Sequence, residues 1–181
     1  VTASNETSDV RQALTDAFPL VDDHPDVAGL LRDPTALATI GPALATPFRE
    51  CGATVVVAPE ARGPILGALV ARELGVGLVL VRKDRRNHPG ADIVIESPPT
   101  WRGHTERFLA RSFDLDESDR VVIVDDWITT GASIEAATDF ATKCGAEVVG
   151  AAVLVNKATD EVVLRFGVHW LVSFDDLVEP G

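Results

Sequence analysis

Apolar and polar positions alternate between two patterns along this chain. Four runs, residues 54–58, 76–81, 121–124 and 148–155, are almost wholly apolar and rich in valine. Runs of this length without strict alternation read as strands buried on both faces, as in parallel sheets. Between and after them lie segments with helical spacing: residues 65–74, with small Gly67, Ala68 and Ala71 for close packing, and the Ala-rich 134–144. Strands alternating with helices predict right-handed crossovers and an α/β fold, with a mostly parallel central sheet flanked by helices. Ahead of this pattern, residues 1–9 read as a loose polar tail. Residues 10–18 have helical spacing with Asp9 as the N-cap, and 19–25 read as a loop bounded by prolines. A second helix is expected over 35–51, opened by Asp33 and Pro34 and kinked or divided at Pro42 and Pro47. Residues 1–53 together make a small N-terminal hood on one domain spanning 1–181.

Residues 88–113 interrupt the strand–helix order. Asn87-His88-Pro89-Gly90 is turn chemistry. Residues 92–96 and 108–113 alternate as the arms of a hairpin, joined by 97–106, a stretch rich in helix and strand breakers. A long loop inside a compact domain reads as a lid over a site. At the far end, 168–174 is predicted to be an apolar edge strand, with Asp175 and Asp176 in a solvated tail.

In open parallel sheets, ligands lie at the carboxyl ends of the strands. Here those ends are residues 59–63 (Pro-Glu-Ala-Arg-Gly), Arg82-Lys83 and Asp125-Asp126. The last pair is followed by Thr129-Thr130-Gly131-Ala132-Ser133 and then by the Ala-rich helix. A phosphate suits such a loop, because free amides and the positive end of the helix dipole face it. Two carboxylates beside it suit a polyhydroxylated sugar, whose vicinal hydroxyls donate to ionised oxygens. No lysine follows Gly131, so the Walker pattern is absent.

Composition narrows the reading. Apolar residues make up 46% of the chain, which excludes wholesale disorder. No apolar run approaches the roughly 20 residues of a membrane span, and the polar, acidic first residues do not resemble a secretory leader. The net charge of −12 argues against broad nucleic-acid binding. A polyphosphate ligand therefore needs a local basic cluster, which Arg82, Lys83, Arg85 and Arg86 provide. Cys51 and Cys144 read as buried thiols of a cytoplasmic protein, and the histidines lack metal-ligand spacing.

The run from Val121 to Ser133 resembles the phosphoribosyl-pyrophosphate (PRPP) motif of the type I phosphoribosyltransferases: four apolar residues, two acids, then a Thr-Gly loop. Glu60-Ala61-Arg62-Gly63 resembles the pyrophosphate loop of the adenine subfamily. The stretches around Leu31-Arg32-Asp33-Pro34, Arg82-Lys83 and Pro89-Gly90 are also similar, so the resemblance covers roughly residues 27–156. It implies a transferase that moves 5-phosphoribosyl from PRPP to a nucleobase, a purine and first of all adenine, releasing pyrophosphate. The alternatives are a PRPP sensor without turnover and a transferase for a non-purine acceptor. The resemblance further implies ribose hydroxyls on Asp125 and Asp126, and the 5′-phosphate on Thr129, Thr130, Gly131, Ala132 and Ser133. Pyrophosphate is expected on Glu60, Ala61, Arg62, Gly63, Arg82 and Lys83, with Glu60–Ala61 as the candidate for a cis peptide. Mg²⁺ is expected through PRPP and waters, with Asp125 as the one direct protein ligand considered. A homodimer is the family habit. The lid departs from the adenine enzymes: Trp101 and Arg102 stand where a Glu and a Tyr are usual. Glu106 is then the nearest lid carboxylate for proton transfer, and Trp101 a flat surface over the base or ribose. The segment 18–26 also lacks the usual Arg before Asp26.

Overall fold

The computed structural model describes residues 2–84 and 87–178, and for residues 2–8 the backbone alone. Arg85 and Arg86 of the expected basic cluster lie outside the described residues. Helix α1 (Thr2–Ala17) takes in the segment predicted as a loose tail. Leu14 and the following Phe18 are buried, with Val10 packed beside them. A helix anchored in this way extends towards its N-terminus without a second nucleation cost. The stretch predicted as a loop holds two short antiparallel strands, β1 (Leu20–Val21) and β2 (His24–Pro25). Asp22 and Asp23 turn between them with positive φ, 50° and 59°. Asp26 then caps the short α2 (Val27–Leu30), accepting from the Ala28 amide at 3.0 Å. Helix α3 (Pro34–Ala45) starts where predicted, with the Asp33 carboxylate accepting from the Ala36 amide at 2.8 Å. It stops short of residue 51, because Pro47 falls in a single 3-10 turn over Thr46–Phe48.

The α/β part follows: β3 (Val55–Pro59), α4 (Gly63–Leu74), β4 (Gly77–Lys83), the hairpin β5 (Ile93–Glu96) and β6 (Arg107–Ala110), β7 (Arg120–Ile128), α5 (Ala132–Lys143), β8 (Glu147–Asn156), α6 (Asp160–Phe166), β9 (Val168–Ser173) and α7 (Phe174–Val178). One sheet has the order β5-β6-β4-β3-β7-β8-β9. From β4 to β9 the pairings are parallel, and the hairpin joins antiparallel through β6 on β4. Chain order reverses direction between β3 and β7, so the switch point lies at their carboxyl ends. The hairpin arms are shorter than predicted, because residues 112–114 form a 3-10 turn. Strand β7 is longer: it runs through Asp125 and Asp126 to Ile128, with Asp125 opposite Val153 and Ile128 opposite Asn156. The ladder offered by β8 thus carries the acid pair inside a strand rather than past its end. Phe174, Asp175 and Asp176 belong to α7 rather than to an edge strand and a tail.

Side chains separate into two cores. One joins α1, α3 and α4 to the sheet; the other joins α5 and the hairpin to the opposite face. Strand β9 is a sheet edge, but α1 lies against it, and Arg11 donates to the Trp170 carbonyl at 2.9 Å. Gly67 lets α4 sit close on the sheet: a Cβ there would lie 2.8 Å from Ala58 Cβ and 3.1 Å from Leu78 Cδ1. Gly67→Ala is therefore expected to destabilise the fold by about 1–3 kcal/mol in urea unfolding. Gly77→Ala, where no atom lies within 4 Å of the new Cβ, should stay within about 0.5 kcal/mol of wild type. Equal midpoints for the two variants would contradict this account of the α4–sheet contact.

Candidate active site

 Strand β7 is buried at seven of its nine positions, with Arg120 and Trp127 half-buried, and the acid pair shares that burial: Asp125 is 5% and Asp126 8% exposed. Burial opposes ionisation of Asp125, and the neighbouring Asp126 carboxylate adds to the effect, so the Asp125 carboxyl is held well above the usual carboxylate range. Its Oδ1 accepts from the Asp126 amide at 2.8 Å. Arg62 Nε pairs with Asp126 Oδ2. This contact crosses the switch point, because Arg62 follows β3 and Asp126 lies on β7.

The loop after β3 is built around Glu60. The Glu60–Ala61 peptide is cis, as the resemblance implies. The Glu60 amide donates to the Val81 carbonyl at 2.9 Å. Its carboxylate accepts from Arg82 Nε at 2.8 Å and from the Lys83 amide at 3.1 Å. Glu60 thereby ties the end of β3 to the end of β4. Gly63 begins α4 against the central strand: a Cβ there would lie 3.0 Å from the Val124 carbonyl oxygen and 3.1 Å from Asp125 Oδ1. The structure thus brings Glu60, Ala61, Arg62, Gly63, Arg82, Lys83, Asp125 and Asp126 to one rim.

Beyond β7 the chain turns through Thr129, Thr130 and Gly131 into α5, whose first helical residues are Ala132 and Ser133. The first backbone bond of α5 runs from the Glu135 amide to the Gly131 carbonyl at 2.8 Å. The amides of the preceding turn are therefore free of the helix ladder and point out of its N-terminus. Gly131 has φ 79°, and a Cβ there would meet Phe166 Cε2 at 2.7 Å, so the turn requires glycine on both counts. The hairpin connection reaches this loop: Thr130 Oγ1 lies 3.4 Å from the Pro99 carbonyl oxygen. The connection 97–106 is not structureless. Ser97 and Glu106 continue the hairpin ladder, and Thr100 and His104 close a turn at its tip. Glu106 Oε1 lies 3.2 Å from Lys83 Nζ and 3.2 Å from His104 Nε2. Trp101 is exposed, with the Arg102 guanidinium stacked on its ring at 4.7 Å.

Comparison with known proteins agrees with this geometry. The profile of the phosphoribosyl transferase domain matches residues 30–176. The adenine phosphoribosyltransferase of Streptomyces coelicolor is 42% identical over 131 residues, 72% of this chain and 70% of that protein. That of Yersinia pestis is 33% identical over 188 residues, covering 96% and 97%. The chain belongs to the adenine phosphoribosyltransferase family. The phosphoribosyltransferase fold is shared with solved members: the Thermoanaerobacter pseudethanolicus enzyme superposes with a TM-score of 0.81 at 25% identity, over 91% of this chain and 99% of that one. The Rhodothermus marinus enzyme gives 0.79 at 28% identity, over 92% and 99%.

One group at this rim has no counterpart in the residues picked from the sequence. Trp127, Lys157 and Phe174 stand at the ends of β7, β8 and β9. The Trp127 and Phe174 rings are 5.8 Å apart, and Lys157 Nζ sits 3.6 Å from the Phe174 ring centroid. The rule that singled out the ends of β3, β4 and β7 would have found Lys157 and Phe174 had it been carried to β8 and β9.

The buried acid gives this phosphoribosyltransferase a testable cost. A carboxyl whose folded pKa is raised contributes stability below its unfolded pKa and loses it as pH rises through the folded value. Asp125→Asn is therefore expected to make the ligand-free protein more stable, with a larger gain at about pH 8 than at about pH 5. Urea unfolding at the two pH values checks this; an Asn variant less stable than wild type at the higher pH would contradict it.

Proposed function

We propose that this phosphoribosyltransferase transfers 5-phosphoribosyl from PRPP to adenine and releases pyrophosphate. The pairing of Arg62 with Asp126 across the switch point carries the proposal, because it joins a cation suited to pyrophosphate to an acid suited to ribose. In this reading Asp125 and Asp126 accept from the ribose hydroxyls. The free amides and hydroxyls of Thr129, Thr130, Gly131, Ala132 and Ser133 hold the 5′-phosphate. Arg62, Arg82 and Lys83, with the backbone of Glu60, Ala61 and Gly63, receive the pyrophosphate, since a guanidinium matches phosphate oxygens in a bidentate way. As the C1′–O bond breaks, the anomeric carbon gains positive charge, and a base nitrogen attacks from the face opposite the pyrophosphate. Cationic groups held in place beforehand stabilise the departing anion without reorganisation.

Mg²⁺ fits the donor set. Glu60, Asp125 and Asp126 offer hard carboxylate oxygens, yet among the described residues no three His, Cys, Asp or Glu side chains cluster as a cage. The ion proposed is held through substrate oxygens and water, with Asp125 as its protein ligand. Such an ion would neutralise charge on the pyrophosphate. Glu106 is the proposed proton-transfer group of the lid, and Trp101 a flat surface over the base or ribose. Residues 88–113 form the lid and 1–53 the hood of one domain. We further propose a cytoplasmic homodimer, motivated by exposed Leu20, Val21, Ile65 and Leu164; a monomer mass by light scattering at micromolar concentration would count against the dimer.

Pyrophosphate release from PRPP and adenine tests the activity, and PRPP binding without release would favour a sensor. Replacing both acids, Asp125→Asn with Asp126→Asn, is expected to weaken Mg²⁺–PRPP binding more than about tenfold, roughly 1.4 kcal/mol. Unchanged affinity by calorimetry would remove the ribose assignment. Trypsin should cut at Arg102 and Arg107 more slowly when PRPP and adenine are present, and equal rates would argue for a passive loop.

A further inference from the structure

We propose that Lys157 extends the acceptors of this enzyme beyond adenine to oxopurines, flat rings that carry carbonyl oxygens on their edge. The proposal rests on the PRPP reading above, which fixes where the acceptor must enter. Across the sheet the order is β4, β3, β7, β8, β9. The pyrophosphate groups stand at the ends of β4 and β3, and the acids on β7. A ring attacking from the face opposite the pyrophosphate therefore approaches from the β8–β9 side. Trp127, Lys157 and Phe174 stand there. Trp127 immediately follows Asp126, and the Lys157 amide donates to the Ile128 carbonyl at 2.9 Å, which fixes the end of β8 beside the end of β7.

The trio also lies on the appropriate face. Trp127 and Phe174 pack against the core that contains the N-terminal helices. The phosphate loop instead opens α5, whose apolar residues belong to the opposite core. Helix α7, which begins at Phe174, packs against β2 of the hood. The acceptor side is thus an aromatic wall beneath the hood, separated from the 5′-phosphate loop by the sheet itself.

Its charge sets it apart from the rest of the rim. Arg62, Arg82 and Lys83 each have a carboxylate partner. Among the described residues no carboxylate lies within ion-pair distance of Lys157, whose ammonium rests on the face of Phe174 and whose residue is exposed. An ammonium has three donors and no acceptor, so it favours an edge with carbonyl oxygens. Adenine presents an amino group, itself a donor, where an oxopurine presents oxygen. The ring gains from stacking on Trp127 in either case. The reaction is unchanged in its balance: the ring nitrogen pair forms the C1′–N bond, the C1′–O pair leaves on pyrophosphate, and the ring N–H proton passes to the lid carboxylate or water.

The test is pyrophosphate release with Mg²⁺, PRPP and, separately, adenine, hypoxanthine and xanthine. Wild type is expected to turn over an oxopurine. Lys157→Met is expected to lower the ratio of oxopurine to adenine kcat/KM by about tenfold or more, the size of one hydrogen bond to a charged group, while Lys157→Arg keeps it. Turnover of adenine alone, or a ratio unchanged in Lys157→Met, overturns the inference and leaves the PRPP site standing. No release with any base overturns both. The wild-type panel decides the matter even if a variant fails to fold.

Discussion

The structure depends on placing two adjacent carboxylates inside a buried strand. Isolated ionised groups in such a position are costly unless paired and hydrogen-bonded. Every feature of the rim answers that cost. Arg62 pairs with Asp126, the Asp126 amide bonds Asp125, and burial holds the Asp125 carboxyl towards its neutral form. Gly63 leaves room for Asp125 where any side chain would crowd it. The loop after β3 must therefore sit where it does, and Glu60 secures it to β4 by bonds to Arg82 and the Lys83 amide.

These pairings make the ligand-free rim balanced in charge. Arg62, Arg82 and Lys83 are each held by an acid of the same site. In a chain of net charge −12 that arrangement holds three cations together at the proposed pyrophosphate site. In the proposed mechanism PRPP exchanges partners rather than filling vacancies: cations turn from carboxylates to phosphate oxygens, and the freed carboxylates turn to ribose hydroxyls. The proposed lid shares this economy, since Glu106 pairs with Lys83 and Pro99 reaches Thr130.

Much of the architecture was legible because strands buried on both faces leave continuous apolar runs, and the ends of three of them carried the polar residues of the rim. The helix start at Asp33 and Pro34 was a local signal and was read as such, whereas Pro47 was read as a kink or division in a helix that ends before it. What was not legible depended on contacts distant in sequence. The length of β7 is set by its ladder with β8, which draws Asp125 and Asp126 into the strand. Helix α1 extends through a polar segment because Leu14 and Phe18 anchor it to the core. Nothing in the residue types says that Arg62 pairs with Asp126 while Arg82 pairs with Glu60. Trp127, Lys157 and Phe174 share no local motif, and only the parallel register of β7, β8 and β9 brings them together.

The exchange of partners at Arg62 is the central claim, and a crystal structure of the enzyme with Mg²⁺ and PRPP tests it most directly. The account predicts that the Arg62 guanidinium leaves Asp126 for pyrophosphate oxygens, while ribose hydroxyls donate to Asp125 and Asp126. Arg62 still paired with Asp126, with PRPP bound and its ribose away from both acids, would contradict it.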